Sequence, residues 1–64
     1  MMLTNPERLR LLLALIEAGQ HETRPALELR AKLNDALGLD HPDLRRADVR
    51  IAQVAELRRR TADR

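Results

Sequence analysis

One run of eight residues, Leu9–Ile16, constrains the fold of this 64-residue chain more than any other feature. Wound as a helix, the run carries two apolar stripes. The first has the i, i+3, i+4, i+7 spacing of a buried face and consists of Leu9, Leu12, Leu13 and Ile16. The second lies roughly opposite and consists of Leu11, Leu15 and Ala18. A helix that is apolar around most of its circumference is either central in its domain or covered by a partner.

Three start signals divide the chain into helices. Thr4 and Glu7 have the spacing of a capping box, in which each side chain binds the other residue's backbone amide. Thr23 and Asp40 begin two further cap-x-Pro segments, and proline is well tolerated in a first helical turn. Gly19 and Gly38 suit the left-handed residue that ends a helix. We therefore predict helices over residues 5–18, 24–37 and 41–60, the third being the longest.

The apolar residues of the second and third segments also recur at helical spacing. The predicted core stripe of helix 2 consists of Ala26, Leu29, Leu33, Ala36 and Leu37. That of helix 3 consists of Leu44, Ala47, Ile51, Val54 and Ala55. Leu27, Val49 and Leu57 lie off these stripes, and no segment alternates with the period of a strand. The prediction is one all-α domain over residues 1–64, a small three-helix bundle with short links and a frayed tail at 61–64.

Composition narrows the classes of function. The chain has no Cys and no Phe, Tyr or Trp, so it lacks disulfides, thiolate ligands and the aromatic platforms on which single-stranded nucleic acids stack. Its net charge is only +2, which indicates no strong attraction to polyanions. No run reaches the roughly 20 apolar residues of a membrane span. We expect a cytoplasmic protein without membrane contact.

No residue pattern predicts catalysis. The two histidines stand apart, and the Asp40-His41-Pro42-Asp43 cluster is explained by helix capping rather than by metal binding. Both glycines are used at helix ends, which leaves no phosphate-binding loop. A bundle of this size also has little room for a substrate pocket. We therefore expect no enzymatic activity, no metal, no cofactor and no small-molecule substrate.

The residues around the second link carry a resemblance to a known motif. The segment Leu33–Arg46 resembles the helix-turn-helix of DNA-binding proteins, with Gly38 at the turn glycine. Leu33 and Leu37 match the packing positions before the turn, and Leu44 and Ala47 match the buried positions of the recognition helix. Two short helices followed by a longer third are also similar to the homeodomain-like layout. The resemblance implies that duplex DNA would be contacted by His41, Arg45, Arg46, Arg50 and Gln53.

Local ion pairs are an alternative explanation for the arginines of helix 3. At helical spacing Arg46 can pair with Asp43, Arg45 with Asp48 and Arg60 with Glu56. In that case the charged face is simply solvated, and function depends on apolar residues outside the core stripes. A second copy of the chain or another protein would then cover them.

Two functions follow from these alternatives. The first is a non-catalytic protein-interaction module that self-associates, docks or acts as a small regulator, with an interface built on Leu11, Leu15, Ala18 and Leu57. The second is a helix-turn-helix-like regulator that reads duplex DNA through helix 3.

Overall fold

The chain folds into three helices. A computed structural model describes residues 3–62, in which α1 spans Asn5–Glu17, α2 spans Arg24–Leu37 and α3 spans Pro42–Ala62. No strand occurs within residues 3–62. The predicted all-α three-helix architecture is confirmed, with each boundary within two residues of its predicted place.

The start and end of α1 follow the predicted local chemistry. The Thr4 amide donates to Glu7 Oε1 at 3.0 Å, and the Glu7 amide donates to Thr4 Oγ1 at 3.3 Å, which completes the capping box. At the other end Gly19 has φ +74°, and the amides of Gly19 and Gln20 donate to the carbonyls of Ile16 and Leu15. This pair of bonds is the Schellman ending that favours glycine.

The starts of α2 and α3 correct two details of the prediction. Thr23 occupies the N-cap position of α2, but its hydroxyl donates backward to the Gln20 carbonyl at 2.7 Å instead of capping the helix. In α3 the side chain that caps is His41, whose Nδ1 accepts from the Asp43 amide at 3.1 Å. Asp40, the predicted cap, does not occupy the N-cap position, because α3 begins at Pro42 and Asp40 lies one residue too early. Its side chain is exposed.

α1 is the central helix of the bundle. It packs against both α2 and α3, whereas α2 and α3 touch each other at few points. The fully buried core draws on all three helices and consists of Leu12, Ile16, Ala26, Leu33, Leu44, Ala47 and Val54. Half-buried residues pack around it, namely Leu9, Leu13, Leu15, Leu29, Leu37 and Ile51. The first apolar stripe of α1 is therefore core, as predicted.

Two expectations about the rest of the chain are wrong. Ala36, predicted for the core stripe of α2, is exposed in the last turn of the helix. The tail does not fray from residue 61, because α3 continues through Thr61 and Ala62, and the Thr61 hydroxyl donates to the Leu57 carbonyl at 3.0 Å. Residues 63 and 64, the remainder of that predicted tail, lie outside the described residues.

The molecule is flat and open for its size. It measures 43 × 25 × 15 Å with a radius of gyration of 12.4 Å, whereas a compact chain of this length has about 10.7 Å. Its accessible surface is 5028 Å², against about 4,200 Å² for a typical folded monomer of this mass. The last turns of α3 contribute to the excess, because residues 59–62 are all exposed. Within residues 3–62, no helix has the length and hydropathy needed to cross a membrane.

Candidate interaction surface

The side of α3 that faces away from α1 carries an apolar strip with a charged border. Val49, Gln53 and Leu57 follow one another at i, i+4 and i+8, so they lie in one row along the helix. Val49 is 57% exposed and Leu57 is 54% exposed. A shallow groove of ≈ 650 Å³ runs along this row. It is lined by Val49, Arg50, Ala52, Gln53, Glu56, Leu57 and Arg60, which we call the outer face of α3.

Leu57 also borders a second groove, of ≈ 450 Å³, where α3 projects past the end of α1. Its other lining residues are Glu17, Arg50, Val54, Arg58, Thr61 and Ala62. Leu57 therefore stands between two concave regions. An apolar side chain in that position can be covered from either side by a partner.

One edge of the outer face is fixed to α1 by an ion pair. The Arg50 guanidinium donates through two nitrogens to the Glu17 carboxylate, with Nη2 at 2.7 Å from Oε2. Its Nη1 also donates to Gln53 Oε1 at 3.1 Å. The hydrogen bonds from Arg50 hold the pKa of Glu17 below its ordinary value, and the same contacts raise the pKa of Arg50. Arg50 therefore connects α1, α3 and the centre of the outer face.

Two further arginines fix the orientation of α3. Arg58 Nη1 donates to the Gly19 carbonyl at 3.0 Å, beyond the end of α1. On the opposite flank, Arg30 of α2 makes a two-nitrogen contact with the Asp48 carboxylate, at 2.5 and 3.1 Å. Those hydrogen bonds lower the pKa of Asp48. Polar contacts thus reach α3 from both of the other helices.

The remaining described arginines of α3 lie near carboxylates along the same helix or the preceding link. Arg46 and Asp43 approach to 3.9 Å, and Arg60 and Glu56 to 3.4 Å, as the spacing predicts. The predicted pair of Arg45 with Asp48 is wrong, because Arg30 holds Asp48 and Arg45 lies 3.6 Å from Asp40 instead. Most of the positive charge on α3 is therefore locally balanced.

The four predicted interface residues do not form one patch. Leu11, Ala18 and Leu57 are exposed, but Leu15 is half-buried against the core. Glu17 of α1 contacts Arg50 of α3. It lies about 120° around the helix from Leu11 and about 160° from Leu15, at 100° per residue. Leu57 is on the Glu17 side. Leu11 and Leu57 are therefore on different flanks of the molecule.

The five residues expected to face DNA have different surroundings. Arg45 and Arg46 project from the start of α3, with side chains 71% and 82% exposed. His41 is half-buried and caps the helix. Arg50 and Gln53 are bonded to each other, and Arg50 is also held by Glu17. Three of the five, Arg45, Arg46 and Gln53, are therefore exposed, although Gln53 accepts a hydrogen bond from Arg50. His41 and Arg50 are half-buried and are bonded to the protein's own groups.

Several residues at the outer face and its edge fall outside the predicted sites, and Val49 and Glu17 are the two that matter most for the interaction surface. The sequence marks Val49 only as lying off the core stripe, and its spacing of eight residues from Leu57 is the signal that links the two. No sequence signal marks Glu17, because its partner Arg50 is 33 residues away.

Residues 3–62 contain no group of three His, Cys, Asp or Glu side chains arranged to hold a metal ion. Comparisons with protein-family models, curated proteins and solved structures find no match to this chain.

Proposed function

We propose that this chain is a non-catalytic helical protein-interaction module and that the outer face of α3 is its principal binding surface. The observation that carries the proposal is the pair Val49 and Leu57, two large apolar side chains more than half exposed in one groove. An apolar centre with a polar rim is the usual anatomy of a protein interface. Leu11 and Ala18 remain in the proposal as a smaller, separate contact on the other flank.

The charges around the groove support a protein partner over a polyanion. Arg60 lies beside Glu56, and Arg50 is held by Glu17. A surface built to bind phosphates would leave such cations free to replace counterions. Balanced pairs at the rim instead favour a partner that contacts the apolar centre and carries charges of both signs.

The energy available from the apolar centre is modest. Fully burying an exposed Val or Leu side chain contributes about 1.5–3 kcal/mol, so covering two half-exposed ones contributes about 2 kcal/mol. Association itself costs at least about 4 kcal/mol of lost motional freedom. The partner must therefore add apolar area of its own, and we expect a weak complex.

Site-specific photo-crosslinking tests the proposed surface and captures a partner whatever its identity. In cells that express the chain, a photoreactive amino acid replaces Leu57. The same replacement at Leu27 of α2 is the matched control, because Leu27 is 58% exposed. We expect a discrete protein adduct from position 57 and little from position 27. Equal labelling at the two positions, or no adduct at position 57, would remove the outer face from the proposal.

A second candidate function is duplex DNA binding of the helix-turn-helix kind. The observation in its favour is the exposure of Arg45 and Arg46 at the start of α3, directly after the four-residue link that follows α2. Such binding should weaken with salt at a slope of about −0.9 per phosphate contact. Replacing Arg45 and Arg46 by Ala should reduce that slope, and failure to retain mixed duplex DNA at low salt would contradict this function.

The two functions compete for the same part of α3. Gln53 and Val49 belong to the outer face, and a recognition helix would also have to present them to a major groove. A partner protein that covers the groove would therefore block base contacts through these side chains. Duplex DNA added to a lysate of these cells before irradiation should suppress the adduct at position 57 if the chain serves both functions.

A further inference from the structure

We propose a second binding site, a cleft beside the first turns of α1 that binds a free α-amino acid with a large aliphatic side chain. The site goes beyond the proposed function, because it shares no lining residue with the outer face of α3. Its volume is ≈ 410 Å³, near the lower end of the range for small-molecule pockets, about 300–1,000 Å³. We call it the leucine cleft, and its lining includes Leu9, Arg10, Leu13, Leu37, His41 and Asp43.

The two walls of the leucine cleft come from different parts of the fold. Leu9 and Leu13, one turn apart, belong to the α1 wall, and Leu37 lies on the opposite wall at the end of α2. All three leucines are half-buried and pack against the core. Their remaining apolar surface lines the cleft, and an aliphatic ligand side chain that covers it gains the usual free energy of apolar burial. The cleft therefore favours a ligand with an apolar part.

Opposite charges lie on the two walls. Arg10 is on the α1 wall, and the described residues give it no ion-pair partner within 4 Å. Glu7, one turn earlier, is held by the capping box instead. Asp43 is on the other wall, and its carboxylate is 3.9 Å from Arg46 and 3.8 Å from His41 Nδ1, which is beyond hydrogen-bond distance. A guanidinium and a carboxylate in the same cleft are therefore both available to a ligand.

A zwitterion with an aliphatic side chain matches every part of this lining. The planar fork of Arg10 binds a carboxylate through two parallel N–H groups. The carboxylate of Asp43 accepts from the ligand's ammonium group. His41 Nδ1 already accepts from the Asp43 amide, so the neutral ring has its hydrogen on Nε2 and can donate it to a carboxylate in the cleft. A fatty acid would leave Asp43 without a partner and an amine would leave Arg10 without one, so the amino acid is the ligand class that uses both charges.

Titration of the isotope-labelled chain with L-leucine, followed by NMR, tests the site. A ligand of about nine non-hydrogen atoms in an open cleft should have a Kd of about 1–10 mM, so the titration extends to about 50 mM. We expect saturable shifts of the backbone amides of Leu9, Leu13 and Leu37, and none at Val49 or Leu57 of the outer face.

Three comparison ligands each lack one group of leucine. Alanine lacks the large side chain, isocaproate lacks the ammonium group and isoamylamine lacks the carboxylate. Because each loses one of the three matches to the cleft, each should bind at least about threefold more weakly than leucine.

Two pairs of variants separate a specific site from a general effect of charge. Arg10→Gln and Asp43→Asn should each weaken leucine binding about three- to tenfold while keeping their helical circular dichroism. Arg24→Gln and Asp35→Asn are the matched controls, because both residues are exposed on α2 and lie outside the cleft. These controls should leave the Kd for leucine unchanged.

The absence of a saturable shift with leucine at about 50 mM overturns the inference. Isocaproate that binds as tightly as leucine overturns it too, since the site would then be a simple anion site. Cleft variants that bind leucine no more weakly than their controls have the same consequence. Each of these outcomes leaves the proposed function in place, because photo-crosslinking at position 57 reports on a surface that shares no lining residue with the cleft.

Discussion

The contact between Gly19 and Arg58 gives the sharpest prediction about how α3 is held. Gly19 has φ +74°, and a Cβ added there would lie 2.7 Å from Arg58 Nη1 and 2.8 Å from its Cζ. Gly19→Ala therefore does two things at once. It places a side chain on a left-handed residue, and it displaces the guanidinium that donates to the Gly19 carbonyl.

The two effects have separate magnitudes. A left-handed conformation costs a residue with a Cβ about 1–2 kcal/mol. The hydrogen bond from Arg58 is exposed, so its loss costs about 0.5–1 kcal/mol, the lower part of the usual range. The free energy of unfolding should fall by about 2 kcal/mol in total, which lowers the Tm of a domain of this size by about 8–16 °C.

A double-mutant cycle in urea, followed by circular dichroism, separates the two effects. Arg58→Ala alone should cost about 0.5–1 kcal/mol, and Gly19→Ala in that background should cost only its backbone strain of about 1–2 kcal/mol. Arg59→Ala is the control, because Glu56 is the one carboxylate that Arg59 approaches within residues 3–62. If Gly19→Ala costs the same with and without Arg58, the two residues are not coupled and Arg58 does not hold α3 to α1.

Three further predictions concern the core, the start of α3 and acid. Leu33→Ala, at a fully buried position, should lower the free energy of unfolding by about 2–5 kcal/mol in urea. His41→Ala should cost about 0.5–1 kcal/mol in the same assay, and Asp40→Ala should cost less, because only His41 caps α3. The hydrogen bonds from Arg30 lower the pKa of Asp48. The stability that this ion pair gives the folded state is therefore fully present above pH 3.8, the ordinary pKa, and is lost as the pH falls through the lowered pKa. Arg30→Ala should therefore flatten the fall in Tm between pH 5 and strong acid, roughly pH 2.

Local chemistry explains why the helices can be predicted from the sequence. The Thr4–Glu7 capping box, the Gly19 ending and the apolar spacing of Leu12 and Ile16 each depend on residues within a few positions of one another. Such signals act before any tertiary contact forms. The central position of α1 follows from the same spacing, because its apolar circumference needs cover on more than one side.

The errors arise where a residue's partner depends on the assembled fold or on a shift of one residue. The cap is His41 rather than Asp40 because α3 begins at Pro42. Arg45 does not reach Asp48 because Arg30, on another helix and 18 residues away, binds that carboxylate. Ala36 fits the apolar spacing of α2, but helical spacing does not say how far round the helix a neighbour reaches.

The candidate site is predictable only in part for the same reason. Leu57 is expected at an interface because it lies off the core stripe of α3. Its grouping with Leu11 rests only on both residues lying outside the core stripes of their helices, and the positions of α2 and α3 around α1 separate the two. The sequence does predict that Leu57 and Val49 lie together, because eight residues of one helix separate them. The α3 part of the site is therefore better supported than the part that includes Leu11.

The way α3 is held bears directly on what its outer face can do. α2 and α3 share few contacts, so apolar packing alone joins α3 mainly to α1. Three arginine contacts add to that packing: Arg30 with Asp48, Arg50 with Glu17, and Arg58 with the Gly19 carbonyl. Arginine suits this use because its planar fork fixes direction as well as distance. A helix whose orientation is set in this way loses little freedom when a partner binds, and that lower cost of ordering is what a groove with only two large apolar residues requires.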